Sequence, residues 1–186
     1  MTAKIIEFFY DLSSPYAYLA HEAIGVTAAK HGAEVVWRPL LLGGLFKNFG
    51  IDKAPILASS ANKQRVLLDD MFRWAAVRNL PFAWPAQFPL NAVRPLRVLC
   101  QLNGPAHAQV ASDLFRRYWG AGEPIADPAV IAHVLTAHGL DAQALLAAAD
   151  SPGVKQKLID NTAEAFARGC CGAPSFFVGP HLVWGN

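Results

Sequence analysis

The chain has 186 residues, of which 53% are hydrophobic and 16% are charged, and its net charge at pH 7 is +2. So small a charge gives no electrostatic argument for nucleic acid or an acidic membrane as a partner. Without an uninterrupted run of about 18 apolar residues, the sequence also predicts no membrane span. The N-terminal stretch MTAKIIEFFYD has too short an apolar run, and no cleavage pattern, for a secretory signal peptide.

The first segment of the chain predicts a strand, a helix and a second strand. The apolar run KIIEFFY at 4–10 has the length and composition of a buried strand. Ser14 is a good N-cap and Pro15 suits the first helical position, so a helix begins here, and it ends at Gly32. AEVVWRP at 33–39 predicts a second strand, and this order implies a parallel βαβ unit.

The middle of the chain has helical periodicity and no segment between 45 and 150 that predicts a strand. A helix is expected at about 59–79, followed by a proline-rich loop. Further helices are expected at about 91–103, 106–119, 127–138 and 141–149. The apolar face of the helix at 59–79 is predicted to consist of Leu67, Met71, Trp74 and Ala75.

The last segment begins with a second capped helix start, Ser151-Pro152, and this helix ends at Gly169. APSFFVG and HLVWG then predict two short strands joined by a Gly-Pro turn, which is a hairpin signal. The order divides the chain into a βαβ half at 1–41, a helical insertion at 42–150 and an αββ half at 151–186.

The three cysteines, Cys100, Cys170 and Cys171, form no Cys-x-x-Cys pair, and two of them are adjacent. This pattern argues against a disulfide framework and against a zinc site made of cysteines. The six histidines are scattered without metal-binding spacing, so no metal is expected. Reduced thiols suit a cytoplasmic protein, and we interpret Cys170 and Cys171 as small core residues.

FFYDLSSPYAYLA, together with GAPSFFVG and VWGN, resembles the kappa-class glutathione transferases and the 2-hydroxychromene-2-carboxylate isomerases. RPLLLGGLFKNFG and LPFAWPAQFP resemble the intervening segments of that family, so the resemblance spans nearly the whole chain. It implies a thioredoxin-like α/β fold with an all-helical insertion. Relatives that are disulfide oxidoreductases begin the helix with Cys-Pro-x-Cys, whereas this chain has Ser14-Pro15-Tyr16-Ala17, which cannot form a disulfide.

The resemblance implies that Ser14 is the catalytic residue and that glutathione is the cofactor. A helix N-terminus attracts anions because its first N–H groups are unpaired. A hydroxyl there that donates to the glutathione thiolate contributes about 1.5–3 kcal/mol, and so lowers the thiol pKa by about one to two pH units. The alternative is that Ser14 is a helix cap and nothing more.

The same resemblance implies further contacts. Ala173-Pro174 matches the cis-proline site of thioredoxin-like folds, where the Ala173 backbone pairs with the cysteinyl backbone of glutathione; the alternative is an ordinary proline at a strand entry. The γ-glutamyl end is expected at Trp184, Gly185 and Asn186.

On the substrate side we expect Lys47 and Asn91, although Lys47 alternatively lies on the surface and Asn91 alternatively caps a helix. Lys63 is a weaker candidate of the same kind. The side chains of Phe82, Trp84 and Phe88 either line an aromatic substrate pocket or belong to the core.

We therefore expect a glutathione-dependent isomerase of the 2-hydroxychromene-2-carboxylate type, which acts on an unsaturated aromatic acid by reversible addition of a thiolate. A kappa-like glutathione transferase is the alternative within enzymes, and a redox-inactive thioredoxin-like binding module is the alternative outside them. The resemblance also implies a homodimer.

Overall fold

The computed structural model describes residues 4–185. Within this range the chain forms four strands and nine α-helices, and a π-helical turn, Arg116–Gly120, continues one of the helices. In chain order they are β1 (Lys4–Tyr10), α1 (Pro15–His31), β2 (Ala33–Pro39), α2 (Leu42–Asn48), α3 (Pro55–Ala58), α4 (Ala61–Val77), α5 (Val93–Leu99), α6 (Gly104–Phe115), α7 (Pro128–Ala137), α8 (Ala142–Ala148), α9 (Pro152–Ala167), β3 (Ser175–Val178) and β4 (His181–Trp184).

The four strands form one mixed sheet in the order β2-β1-β3-β4. β1 pairs with β2 in parallel, as the βαβ prediction requires, and β3 pairs antiparallel with both β1 and β4. Phe9 of β1 lies opposite Ser175 of β3. This register places the loop that follows β1 beside the turn that precedes β3, and these two segments carry the two motifs singled out in the sequence.

The start of α1 has the predicted capping. The Ser14 side chain accepts a hydrogen bond from the Ala17 N–H, and Pro15 occupies the first turn, where its missing N–H is not needed. At the other end, Gly32 has a φ of +60° and its N–H bonds to the carbonyls of the last turn. The local sequence therefore fixes both ends of the helix that starts at the cleft.

Each face of the sheet has its own core, because successive side chains of a strand point to opposite faces. Phe8 and Tyr10 belong to the larger core, which includes residues of α1, α5 and α6. Phe9 faces α9 and packs with Leu40 and Phe177 in a smaller core. The buried Trp119 donates its indole N–H to the Leu12 carbonyl at 2.9 Å, and so ties the loop after β1 to the helical part of the chain.

Three details differ from the sequence predictions. The short helices α2 and α3 were not predicted, because LGGLFKN contains two helix-weakening glycines and PILA is only one turn long. On α4, Met71 and Ala75 are buried as expected, but Trp74 is exposed, and the Arg78 guanidinium lies over its ring at 5.0 Å. The predicted helix at 106–119 ends in the π-helical turn. Among the helices of residues 4–185, none has the length and apolar character needed to cross a membrane.

Candidate active site

A cleft of about 520 Å³ opens where the loop after β1 meets the turn before β3. One wall is the start of α1 and another is the segment from Leu41 to Ile56. The inner face of α4 and the segment 88–92 complete the cleft, together with the turn 171–173. The two sequence motifs that are far apart in the chain therefore share one cavity.

Ser14 lies in this cleft and is 3% exposed. Its Oγ accepts the Ala17 N–H at 3.1 Å and donates its proton to the Ala173 carbonyl at 2.8 Å. The hydroxyl is thus a helix cap and also a bridge between the two motifs. A ligand that takes over the Ala173 carbonyl would free the Ser14 proton for another acceptor.

Asp11 holds the loop that carries Ser14, a role that the sequence reasoning missed. One oxygen of its carboxylate accepts the Ser13 N–H at 2.8 Å and the Ser13 hydroxyl at 2.9 Å, and the other accepts the Leu42 N–H at 2.7 Å. Burial raises the pKa of Asp11, while these hydrogen bonds act in the opposite direction. The sequence signal was a single acidic residue at the end of an apolar strand.

The peptide bond between Ala173 and Pro174 is cis, as predicted. The Pro174 carbonyl accepts the Gly185 N–H at 3.1 Å, so the end of the β3–β4 hairpin is fixed next to this turn. Trp184 is 61% exposed and lines the cleft. A Cβ at Gly172 would lie 3.1 Å from its indole nitrogen, so a side chain at this position requires the exposed indole to shift by a few tenths of an ångström.

Not every predicted residue reaches the cleft. Asn91 lines it, and so does Lys63, the weaker candidate, together with Lys53, which was not predicted. Lys47 is not among the lining residues: Phe46, its neighbour on α2, faces the cleft, and a helix turns by about 100° between successive residues.

The three residues predicted to contact the γ-glutamyl end differ in where the structure places them. Trp184 lines the cleft, whereas Gly185 lies next to it without lining it. Asn186 lies outside the described residues.

The apolar part of the cleft is shared by the segment 41–56, the segment around Phe88 and α4. Leu67 and Met71 contribute from α4. Of the three aromatic residues whose role was open, Phe88 lines the cleft, whereas Phe82 and Trp84 pack against Trp119, with ring centroids 5.8 and 5.7 Å away. The lining therefore combines apolar side chains with charged ones, Lys53 and Lys63 among them.

The interpretation of both adjacent cysteines as core residues was wrong for one of them. Cys170 is buried, and burial raises the pKa of its thiol. Cys171 is exposed and lines the cleft two residues before Ala173. Adjacent residues of an irregular turn point in different directions, which the sequence alone does not specify. Within residues 4–185, no group of three or more His, Cys, Asp or Glu side chains is placed to hold a metal ion.

Comparison with known proteins gives matches across the chain. Residues 5–186 match the family described as the DSBA-like thioredoxin domain. The chain is 29% identical over 189 residues to the 2-hydroxychromene-2-carboxylate isomerase of Sphingobium xenophagum, with 98% of this chain and 93% of that protein covered. It is 28% identical over 180 residues to glutathione S-transferase kappa 2 of Caenorhabditis elegans, with 92% and 79% covered. A solved structure of a 2-hydroxychromene-2-carboxylate isomerase superposes with a TM-score of 0.79 at 25% identity, with 97% of this chain and 88% of that chain covered.

These relatives are enzymes of two kinds, an isomerase and a glutathione transferase. They confirm the resemblance drawn from the motifs and the expectation of an enzyme related to these two groups. The predicted thioredoxin-like α/β fold is confirmed as well. Because the family match extends over residues 5–186, the chain belongs to the DSBA-like thioredoxin domain family.

Proposed function

We propose that the protein is a glutathione-dependent isomerase of the 2-hydroxychromene-2-carboxylate type. The observation that carries this proposal is the Ser14 hydroxyl, which is bonded to the Ala173 carbonyl within the cleft. Serine and alanine occupy the two positions at the start of α1 where a disulfide oxidoreductase has cysteines. A site of this form stabilises a thiolate that arrives with a small molecule.

When glutathione binds, the donor of the hydrogen bond to the Ala173 carbonyl changes. The cysteinyl N–H of glutathione takes the Ala173 carbonyl, and the Ser14 proton turns from that carbonyl to the sulfur. The first N–H groups of α1 have no partner within the helix, and their positive field favours the thiolate over the thiol. The exchange replaces a neutral hydrogen bond with a charge-assisted one, which is about twice as strong.

The rest of the cleft suits the two molecules that the reaction requires. Lys53 and Lys63 lie in its lining and supply positive charge for the carboxylates of glutathione or of an acidic substrate. Phe88 and Met71 provide an apolar surface for an aromatic ring, and Asn91 lies beside them as the proposed polar contact. Trp184, with Gly185 next to it, forms the proposed γ-glutamyl side of the cleft.

The proposed reaction is reversible. The thiolate adds to a conjugated carbon of the substrate, a C–S bond forms, and the electron pair of the double bond moves to the carbonyl oxygen as an enolate. Rotation about the resulting single bond follows. The enolate then restores the double bond and expels the thiolate, so glutathione is regenerated. The protein contributes thiolate stabilisation and positioning.

A kappa-like transferase is a second candidate, supported by the similarity to glutathione S-transferase kappa 2. Its chemistry is the same up to thiolate attack, but the adduct is released as product. Incubation with glutathione and 2-hydroxychromene-2-carboxylate distinguishes the two: isomerisation without loss of free glutathione supports the isomerase. Loss of glutathione in proportion to product supports the transferase. If glutathione does not bind at millimolar concentration, the remaining alternative is a redox-inactive binding module.

A further inference from the structure

The Asp11 carboxylate joins two walls of the cleft that come from different segments of the chain. Its Oδ1 accepts the N–H and the hydroxyl of Ser13, at 2.8 and 2.9 Å, and the Asp11 carbonyl accepts the Ser14 N–H at 3.0 Å. Its Oδ2 accepts the N–H of Leu42, the first residue of α2, at 2.7 Å. One residue, only 1% exposed, therefore holds both the loop that carries Ser14 and the start of the segment 41–56.

The start of α2 depends on partners from elsewhere in the chain. Leu41 stands at its N-cap and provides no side-chain cap for the N–H groups of the first turn. The Leu41 N–H itself donates to the Thr162 Oγ1 of α9 at 3.0 Å. The Thr162 contact thus fixes α2 to α9, whereas the Asp11 contact fixes α2 to the Ser14 loop.

The link through Asp11 requires an oxygen on both sides of the carboxyl group. All three groups that the side chain contacts are donors, two N–H groups and one hydroxyl. An ionised carboxylate accepts from all of them, whereas a protonated oxygen would face a donor. Hydrogen bonds to a charged group are about twice as strong as neutral ones, so this link is stronger than an ordinary cap.

We propose that Asp11 is a positioning residue for the acidic substrate, because it holds the wall 41–56, which includes Lys53, in register with the sulfur at Ser14. This role rests on the proposed function, since it concerns the substrate of that reaction. In the proposed complex, Ser14 and the Ala173 carbonyl place the sulfur, and the segment 41–56 lines the opposite side of the cleft. A misplacement of reacting groups by about 1 Å can lower a rate about a hundredfold, so the addition step depends on this register.

Asp11→Asn tests the link to α2. The asparagine oxygen still serves Ser13, but its amide group faces the Leu42 N–H with a donor, so this bond is lost. With saturating glutathione, kcat/KM for 2-hydroxychromene-2-carboxylate is expected to fall at least about tenfold. The pKa of the bound thiol is not expected to rise, because the Ser14 loop keeps its anchor and a negative charge beside it is removed. Ser14→Ala, in contrast, is expected to raise that pKa.

Leu42→Pro breaks the same hydrogen bond from the other side. Proline suits the first position of a helix, and Leu41 before it is extended, with a φ of −103° and a ψ of 107°. Because Leu42 lines the cleft, Leu42→Ala is the matched control, which removes the side chain and keeps the N–H. The proline variant is expected to have a kcat/KM at least about tenfold below that of the alanine variant. Combined with Asp11→Asn, Leu42→Pro is expected to add little further loss, because the bond is already broken.

The outcomes separate this role from the proposed function. A wild type that does not isomerise the substrate with glutathione refutes both. With an active wild type, the role of Asp11 alone is overturned by an unchanged kcat/KM in Asp11→Asn, by equal activity of Leu42→Pro and Leu42→Ala, or by additive losses in the double variant. A thiol pKa that rises in Asp11→Asn as it does in Ser14→Ala would also overturn it, because Asp11 would then act on the hydroxyl and not on the wall. Circular dichroism and thermal unfolding check folding, and if Asp11→Asn does not fold, the two Leu42 variants decide the test.

Discussion

Replacement of Ser14 by alanine separates the two roles of its hydroxyl. The change removes a cap bond from the Ala17 N–H at 3.1 Å and a bond to the Ala173 carbonyl at 2.8 Å. Loss of an N-cap costs about 1 kcal/mol, and a neutral hydrogen bond contributes about as much, so the free energy of unfolding is expected to fall by about 2 kcal/mol. Urea unfolding measures this loss.

The same variant has a second expected effect, which only a thiolate site produces. Loss of the charge-assisted bond is expected to raise the pKa of the bound glutathione thiol by about one to two pH units. The measurement is the thiolate absorbance near 240 nm against pH, with glutathione bound to each protein. A mere loss of stability does not change this titration as long as the protein stays folded.

Ser151→Ala is the matched control, since Ser151-Pro152 is also a capped Ser-Pro helix start. Its side chain accepts the Val154 N–H at 3.4 Å, and it does not line the cleft. This variant is expected to lose some stability and to leave the thiol pKa unchanged. If Ser14→Ala gave the same thiol pKa as the wild type, the assigned role of the hydroxyl would be refuted.

Three further predictions concern the cleft and the core. Cys171 is the exposed cysteine of the three, so iodoacetamide is expected to alkylate it first, and bound glutathione is expected to slow this reaction; mass spectrometry locates the label. Lys63→Ala is expected to weaken glutathione binding by about two- to fivefold, whereas Lys47→Ala is expected to leave it unchanged, as calorimetry will show. Burial lowers the pKa of His107 to about 4, whereas a histidine in the unfolded chain has a pKa of about 6.5. As the pH falls below about 6.5, this residue is protonated in the unfolded chain and stays neutral in the folded chain, so the free energy of unfolding decreases. From this residue alone, urea unfolding at pH 5 is expected to give a stability about 2 kcal/mol lower than at pH 7.5, and His107→Gln to reduce that pH dependence.

Each of these predictions has an outcome that contradicts it. Glutathione bound elsewhere would leave the alkylation rate of Cys171 unchanged. An equal loss of affinity in Lys63→Ala and Lys47→Ala would contradict the assignment of cations to the cleft. The same pH dependence of stability in His107→Gln and the wild type would show that this histidine is not the group held neutral by burial.

The sequence predicts those features whose signals are local. β1 and β2 have the predicted bounds because each is an apolar run closed by turn residues. The start of α1 depends on two adjacent residues, Ser14 and Pro15, and its end depends on Gly32. A cap is satisfied by atoms within a few residues, so no knowledge of the tertiary structure is needed to find it.

The features that the sequence does not predict depend on which way a side chain points and on contacts between residues far apart in the chain. Phe46 and Lys47 are neighbours, and only the rotation of α2 decides which of them faces the cleft. The spacing of Trp74 along α4 fits a core position. However, α4 buries only Met71 and Ala75, so its buried face is narrower than the number of apolar residues in its sequence suggests. Cys171 reaches the cleft because the turn before β3 is irregular, and periodicity carries no information there.

Ser14 is proposed to donate its hydroxyl proton to the sulfur of bound glutathione. The most direct test is a crystal structure of the protein with glutathione. The sulfur is expected within hydrogen-bonding distance of the Ser14 Oγ, and the cysteinyl N–H is expected on the Ala173 carbonyl. A sulfur far from that hydroxyl, or glutathione bound outside the cleft, would contradict this role of Ser14.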